Sequence, residues 1–121
     1  MKLRMRGNTV RVRLTRSEVA AFGDHGFLEE ITDFGNGQIL VLRLASAPDI
    51  SVGATFIDGR IEITLPEPDV RSWAASDQVA IKGGTQTIEL LVEKDFTCLT
   101  PRDGDEDHDT FPHPRESDRS C

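Results

Sequence analysis

Cations recur at alternate positions near the start of the chain. Lys2, Arg4 and Arg6 precede a Gly7-Asn8 pair, and Arg11 and Arg13 follow it. Alternate residues of a strand share one face. Two such strands joined by a two-residue turn would place Arg4 opposite Arg11 and Lys2 opposite Arg13. Like charges directly across a ladder destabilise it unless something neutralises them. The planar fork of arginine donates two parallel hydrogen bonds to phosphate or carboxylate. Lys2, Arg4, Arg11 and Arg13 are therefore a candidate anion site for a phosphate-containing ligand or an acidic protein segment. The structural alternative is countercharge from Glu62, Glu89, Glu93 or Asp33 on neighbouring strands. Exposed pairs of that kind contribute ~0–1 kcal/mol each.

A second set lies near the other end. Cys98, His108, His113 and Cys121 supply two thiols and two imidazoles, with four residues between the histidines. Zinc takes such ligands, and that histidine spacing is a usual one. A close cysteine pair is missing. The set reads either as a zinc site that would order an irregular segment, or as free thiols beside solvated histidines. A Cys98 to Cys121 disulfide is a third reading, disfavoured by a cytoplasmic setting. Between Pro101 and His113 runs Asp103-Gly104-Asp105-Glu106-Asp107-His108-Asp109. It fails as a calcium loop, because His108 stands at the turn glycine and Pro114 at the bidentate glutamate. It reads as a solvated acidic segment, which could also fold back onto the basic hairpin.

Catalytic patterns are sparse. The chain has no nucleophile elbow, phosphate-binding loop, zinc-protease helix or dinucleotide fingerprint. His25 lies in a glycine-flanked turn. Cys98 follows a strand pattern, where a cysteine commonly packs as a small apolar residue. No aromatic series lies on the basic strands, so a base-stacking platform for nucleic acid is not expected.

The elements that must position these residues follow from periodicity. Lys2 to Arg6 and Thr9 to Leu14 alternate apolar with basic, and one register puts Leu3, Met5, Val10 and Val12 on a common face. Thr15 and Glu18 form a capping box, predicting a helix from Arg16 to Phe22 that ends at Gly23. Strands are expected over Phe27 to Phe34 and Gln38 to Leu44, the latter central and covered on both faces. Asp58-Gly59 predicts a hairpin of Ile50 to Ile57 with Arg60 to Leu65, Phe56 facing Ile61. Asp69 would cap a short helix anchored by Trp73. Gly83-Gly84 predicts a third hairpin, with Val79 facing Ile88. No repeat of 20–50 residues is visible. The fold class is α+β: about eight strands in a mainly antiparallel sheet, a meander curving to a partly closed barrel, with two short helices. An uncovered sheet edge must close, pair or form a homodimer.

The 121 residues, 37% of them hydrophobic, suffice for one domain. It is expected over residues 1–99, with an acidic, proline-containing tail over 100–121. Net charge is −7, yet residues 1–16 hold six bases and no acid. An acidic chain is a poor non-specific binder of nucleic acid. No apolar run reaches membrane length, and the basic start lacks a signal-peptide core. A cytoplasmic location is the expectation.

The stretch Arg6-Gly7-Asn8-Thr9-Val10-Arg11-Val12-Arg13-Leu14-Thr15-Arg16-Ser17-Glu18-Val19 resembles the opening of a family of small uncharacterised bacterial proteins. Glu93-Lys94-Asp95-Phe96-Thr97-Cys98-Leu99 resembles a segment near their end. That resemblance implies no activity, and it implies that the acidic tail belongs to the protein. At the level of fold, the alternation of Arg4, Arg6, Arg11, Arg13, Arg60 and Glu62 is similar to the CYTH-like triphosphate tunnel proteins, although their Glu-x-Glu-x-Lys opening is absent.

Three functions are therefore expected in order. The first is a non-enzymatic binding module using the basic hairpin. The second is a metal-dependent triphosphohydrolase of tunnel type, with the arginines on phosphate and Glu62 with Glu89 on a divalent cation. The third is a zinc-stabilised structural domain. A tunnel enzyme must turn its charged strand faces inward, whereas a binding module turns them to water.

Overall fold

The computed structural model describes residues 1–95. Its first hairpin pairs β1 (Lys2–Arg6) with β2 (Thr9–Leu14) in the expected register, Arg6 opposite Thr9 and Lys2 opposite Arg13. Thr15 caps α1 (Arg16–His25) through both halves of the capping box. The helix passes the expected stop at Gly23, which packs against Ala74 of the second helix. It ends at Gly26, whose left-handed φ of 79° completes the C-cap.

β3 (Phe27–Asp33) and β4 (Ile39–Ala47) follow, then β5 (Gly53–Ile57) and β6 (Arg60–Pro66) around the Asp58-Gly59 turn. Helix α2 (Glu67–Ala75) has Pro66 at its N-cap and no side-chain cap; Asp69 sits in its first turn instead of capping it. β7 (Ala80–Gly84) and β8 (Glu89–Lys94) complete the chain described.

Among the described residues there are two four-stranded sheets. The first runs β1-β2-β8-β7 and the second β3-β4-β6-β5. The outer pairs of each sheet are antiparallel, but β2 with β8 and β4 with β6 are parallel. The mainly antiparallel sheet expected from the hairpins is thus two mixed sheets, antiparallel in their outer pairs and parallel at their centres. A hairpin can only make an antiparallel pair, and these central pairs join strands far apart in sequence. The fold is α+β and mostly sheet, but it is neither a simple meander nor a closed barrel.

Two further expectations change. The third hairpin does not turn at Gly83-Gly84. Those residues extend β7, and the loop is Thr85 to Ile88, with Thr85 Oγ1 accepting from the N–H groups of Thr87 and Ile88 at 3.1 and 3.2 Å. The observed register sets Ile81 opposite Val92 and Gly83 opposite Leu90. Ile81, Leu90 and Val92 all enter the core that way; a Gly83-Gly84 turn would have put Ile81 opposite Gln86. Strand β4 is central, but only one of its faces is buried. Leu42 and Leu44 point inward, while Val41 and Arg43 stay half-exposed.

The topology contains an internal repeat. Hairpin β1-β2, helix α1 and strands β3-β4 are matched in order by hairpin β5-β6, helix α2 and strands β7-β8. Exchanging the halves converts one sheet order into the other. Through the second helix the match keeps a constant spacing of 51 positions. Leu14 corresponds to Leu65, Val19 to Val70 and Phe22 to Trp73, and all six side chains are buried. Glu18, at the third position of α1, corresponds to Asp69. Leu14, Leu65, Val19, Val70, Phe22 and Trp73, with Val10, Val12, Leu44, Ile63, Leu90 and Val92, belong to one core between the sheets and under the helices. No helix among the described residues is long and apolar enough to cross a membrane.

The two sheets meet along their edges without strand pairing. Near β5, a side chain on Gly83 would sit 2.6 Å from the Cβ of Val52, so glycine lets these edges close up. At the other seam the Met1 ammonium donates to Glu18 at 2.5 Å and to Glu30 of β3 at 3.2 Å. Burial lowers the Met1 pKa, but its hydrogen bonds to the two carboxylates outweigh this and raise it above 8.0. Burial likewise pushes Glu18 up, and hydrogen bonds from Met1 and Thr15 outweigh it, leaving Glu18 below 4.5.

Two predictions follow from the seams. Gly83→Ala should destabilise the fold by about 1–3 kcal/mol in urea unfolding, as overpacking does. Val52→Ala in the same chain should recover much of that loss, which a double-mutant cycle measures. Glu18→Gln keeps the capping hydrogen bond but removes the charge, and should cost about 0.5 kcal/mol near neutral pH. A depressed carboxylate pKa stabilises above its unfolded value, so the cost should vanish as pH falls through the folded pKa of Glu18. A raised ammonium pKa stabilises below its unfolded value, so the cost should also shrink as pH climbs past the Met1 pKa. Unfolding curves across the pH range check both limbs.

Candidate anion-binding face

The face of the first sheet turned away from the core gathers cations from three of its four strands. Alternation along β1 and β2 brings Lys2, Arg4, Arg6, Arg11 and Arg13 to it, because the intervening Leu3, Val10 and Val12 pack toward the core. Lys82 of β7 joins them through the β8 ladder. Arg4 lies directly opposite Arg11, and Lys2 opposite Arg13, as expected.

The parallel partner β8 contributes carboxylates to the same face. Arg13 stands beside Glu93 in the ladder, and its Nε donates to Glu93 Oε1 at 3.1 Å. The Nε of Arg11 lies 3.4 Å from the same oxygen. Asp95 continues the alternation beyond β8 and holds Lys2 Nζ at 3.1 Å. Its own N–H donates to the Leu14 carbonyl at 2.8 Å, fixing it beside the end of β2. Glu93 is only 15% exposed and Arg13 19%, so this contact is partly desolvated and stronger than a pair in open water.

Of the four suggested countercharges, Glu93 bridges Arg11 and Arg13 of the basic hairpin. Glu89 lies on this face opposite Thr9. Glu62 is on the second sheet, 3.3 Å from Arg43, and Asp33 accepts from the Gly35 N–H at 2.8 Å. Asp95 was not anticipated; its signal was the period-two spacing from Glu93.

The outward face of the second sheet differs in charge. Arg43 and Arg60 both contact Glu29, at 3.3 and 3.1 Å, and Arg43 also contacts Glu62. Arg43 lies over the Phe27 ring at 4.6 Å. That network has as many carboxylates as guanidinium groups. Arg60 and Glu62 are thus on one sheet while Arg4, Arg11, Arg13 and Glu89 are on the other. The residues suggested for a phosphate clamp with a divalent cation are not brought into one place. The faces enclosed between the sheets are apolar, with no buried polar or charged residue among those described.

A groove of about 910 Å³ lies between α1, α2 and the end of β8, lined by Leu14, Val19, Ala74, Arg71, Lys94 and Asp95 among others. Among the described residues no cluster of His, Cys, Asp or Glu is suited to a metal. Cys98, His108, His113 and Cys121 lie outside the described residues.

Fold and site together define a duplicated α+β domain with one basic sheet face. The chain belongs to a family of unknown function, DUF7009, matched over residues 1–115. Comparison with curated proteins and with solved structures gives no match.

The ion pairs of this face give a further test. Glu93→Gln removes the carboxylate that Arg11 and Arg13 share, and should destabilise the protein by about 1 kcal/mol at low salt. In ~1 M salt, where charges are screened within about 3 Å, the difference from the parent chain should narrow. Urea unfolding at the two salt concentrations measures it.

Proposed function

We propose that this protein is a binding module, and that the basic face of the first sheet holds an anionic group of its ligand or partner. The internal repeat carries this reading. The positions matching Lys2, Arg4, Arg6, Arg11 and Arg13 are Gly53, Thr55, Ile57, Glu62 and Thr64. The second hairpin builds the same ladder in the same register with none of those cations. The inward residues, by contrast, stay apolar in both halves: Val10 and Ile61, Val12 and Ile63, Leu14 and Leu65. The fold therefore requires the apolar positions and not the basic ones.

Cations kept on one face of one hairpin, where the matching hairpin does without them, suit a face that meets an anionic group. The chemistry suits phosphate or carboxylate oxygens, which arginine engages through its fork. Charged faces turned to water favour a binding module over a tunnel hydrolase.

Inorganic tripolyphosphate serves as the probe, titrated by calorimetry at low salt. The double substitution Arg4→Glu with Arg11→Glu should weaken binding at least tenfold. Arg71→Glu changes charge on α2, away from this face, and should leave binding nearly unchanged. Equal affinities for the parent chain and the double variant would rule the reading out.

A further inference from the structure

The outward face of the second sheet carries a row of apolar side chains where a sheet with one covered face turns polar residues to water. The ladder sets Ile31, Val41, Arg60 and Ile57 side by side across all four strands. Ile39 lies two residues before Val41 on the same face of β4. Ile31 is 58% exposed, Ile39 49% and Ile57 65%. Single exposed apolar side chains are ordinary, but a contiguous group of them marks an interaction surface.

The internal repeat shows that the fold does not need this row. In the first sheet the matching row is Gly84, Glu89, Thr9 and Arg6. Ile31 corresponds to Gly84, Val41 to Glu89, Arg60 to Thr9 and Ile57 to Arg6. The same ladder is built there without one large apolar side chain. Ile31, Val41 and Ile57 therefore answer to a contact outside the fold.

We infer that this face is the contact between two copies of the chain, packed sheet to sheet about a two-fold axis. Charge selects the occupant. The row beside the apolar one holds Glu29, Arg43 and Glu62. With Arg60 these form a network of two carboxylates and two guanidinium groups. A strongly basic or acidic partner finds no excess of opposite charge there. In a two-fold contact each patch meets its own kind, so a neutral network meets another without net repulsion. The basic face of the first sheet would set like charge against like if it met itself. The chain's net charge of −7 makes copies repel elsewhere, which confines their approach to a neutral face. Four strands about 4.8 Å apart and about seven residues long present roughly 400 Å² per copy in projection. That is the low end of specific interfaces, so the dimer is a reversible one. This contact is separate from the basic face and does not rest on the reading of that face.

Sedimentation equilibrium of the full chain tests the inference, from about 1 μM to about 1 mM, the range in which a weak interface dissociates. The average mass should rise with concentration from that of one chain toward that of two, and stop there. Ile31→Lys with Ile57→Lys buries unpaired charge in the contact and should weaken association at least about tenfold. Met5→Lys with Val79→Lys makes the same change at two exposed apolar positions of the first half of the sandwich, on β1 and just before β7, and should leave association unchanged. Urea unfolding confirms that each variant is folded. A parent chain that stays single at every concentration would overturn the inference, as would equal weakening by both pairs. Loss of association in Arg4→Glu with Arg11→Glu would move the contact to the basic face and overturn it too. Growth beyond two copies would mean a head-to-tail contact and reject the two-fold axis. If the lysine variants unfold, the parent chain alone decides. Methyl chemical shifts of Ile31, Ile39 and Ile57 should move with protein concentration while those of the buried Ile63 and Ile81 stay fixed. Shifts of the three exposed isoleucines that do not move with concentration would overturn the inference.

Discussion

The fold depends on two parallel strand pairings. β2 needs β8 beside it, and β6 needs β4. In each case the partner comes from the other half of the chain. Neither hairpin-helix-hairpin unit can complete a sheet alone, and neither can cover its own apolar face. A two-stranded hairpin is marginal in water, so exchange of strands between halves is what makes each sheet wide enough to stand. The exchange also places Phe22 and Trp73 at matched positions in one shared core. The indole N–H of Trp73 is satisfied there by the Val79 carbonyl at 3.0 Å, which permits its full burial.

The same pairing builds the candidate site. Without β8 beside β2, the basic hairpin would carry its like charges with no carboxylate strand along its inner edge. Glu93 reaches Arg11 and Arg13 only because the register aligns it with Arg13. The two sheets share an architecture but have diverged in surface chemistry. One outward face is a balanced network of Glu29, Arg43, Arg60 and Glu62. The other is dominated by cations. A duplicated fold makes that contrast interpretable, since each half shows what the other could have been without its charges.

Some of this was legible in local residues and some was not. The Gly7-Asn8 turn, the Asp58-Gly59 turn and the Thr15-Glu18 capping box each act within a few residues, and each appears as read. Gly23 and Gly83-Gly84 misled for a common reason. Glycine marks either a chain reversal or a close approach of another element, and local sequence does not tell which. Gly23 lies against Ala74, and Gly83 makes room for Val52. The repeat is not legible in residue identity, because its evidence is a pattern of residue classes. Leu14, Val19 and Phe22 match Leu65, Val70 and Trp73 in burial, while the intervening residues differ.

The sequence by itself determined which residues share a face, where the first two hairpins turn and where α1 begins. These follow from backbone periodicity and short-range hydrogen bonding, which act between neighbours in the chain. Only the tertiary structure decided that the central pairs are parallel, that the apolar faces are the enclosed ones, and that Glu93 and Asp95 meet the basic hairpin. Those outcomes depend on which distant strands exclude water most completely together. That is a property of the assembled core, where Val12, Leu14, Leu44, Leu65 and Val92 reach near-complete burial only in company.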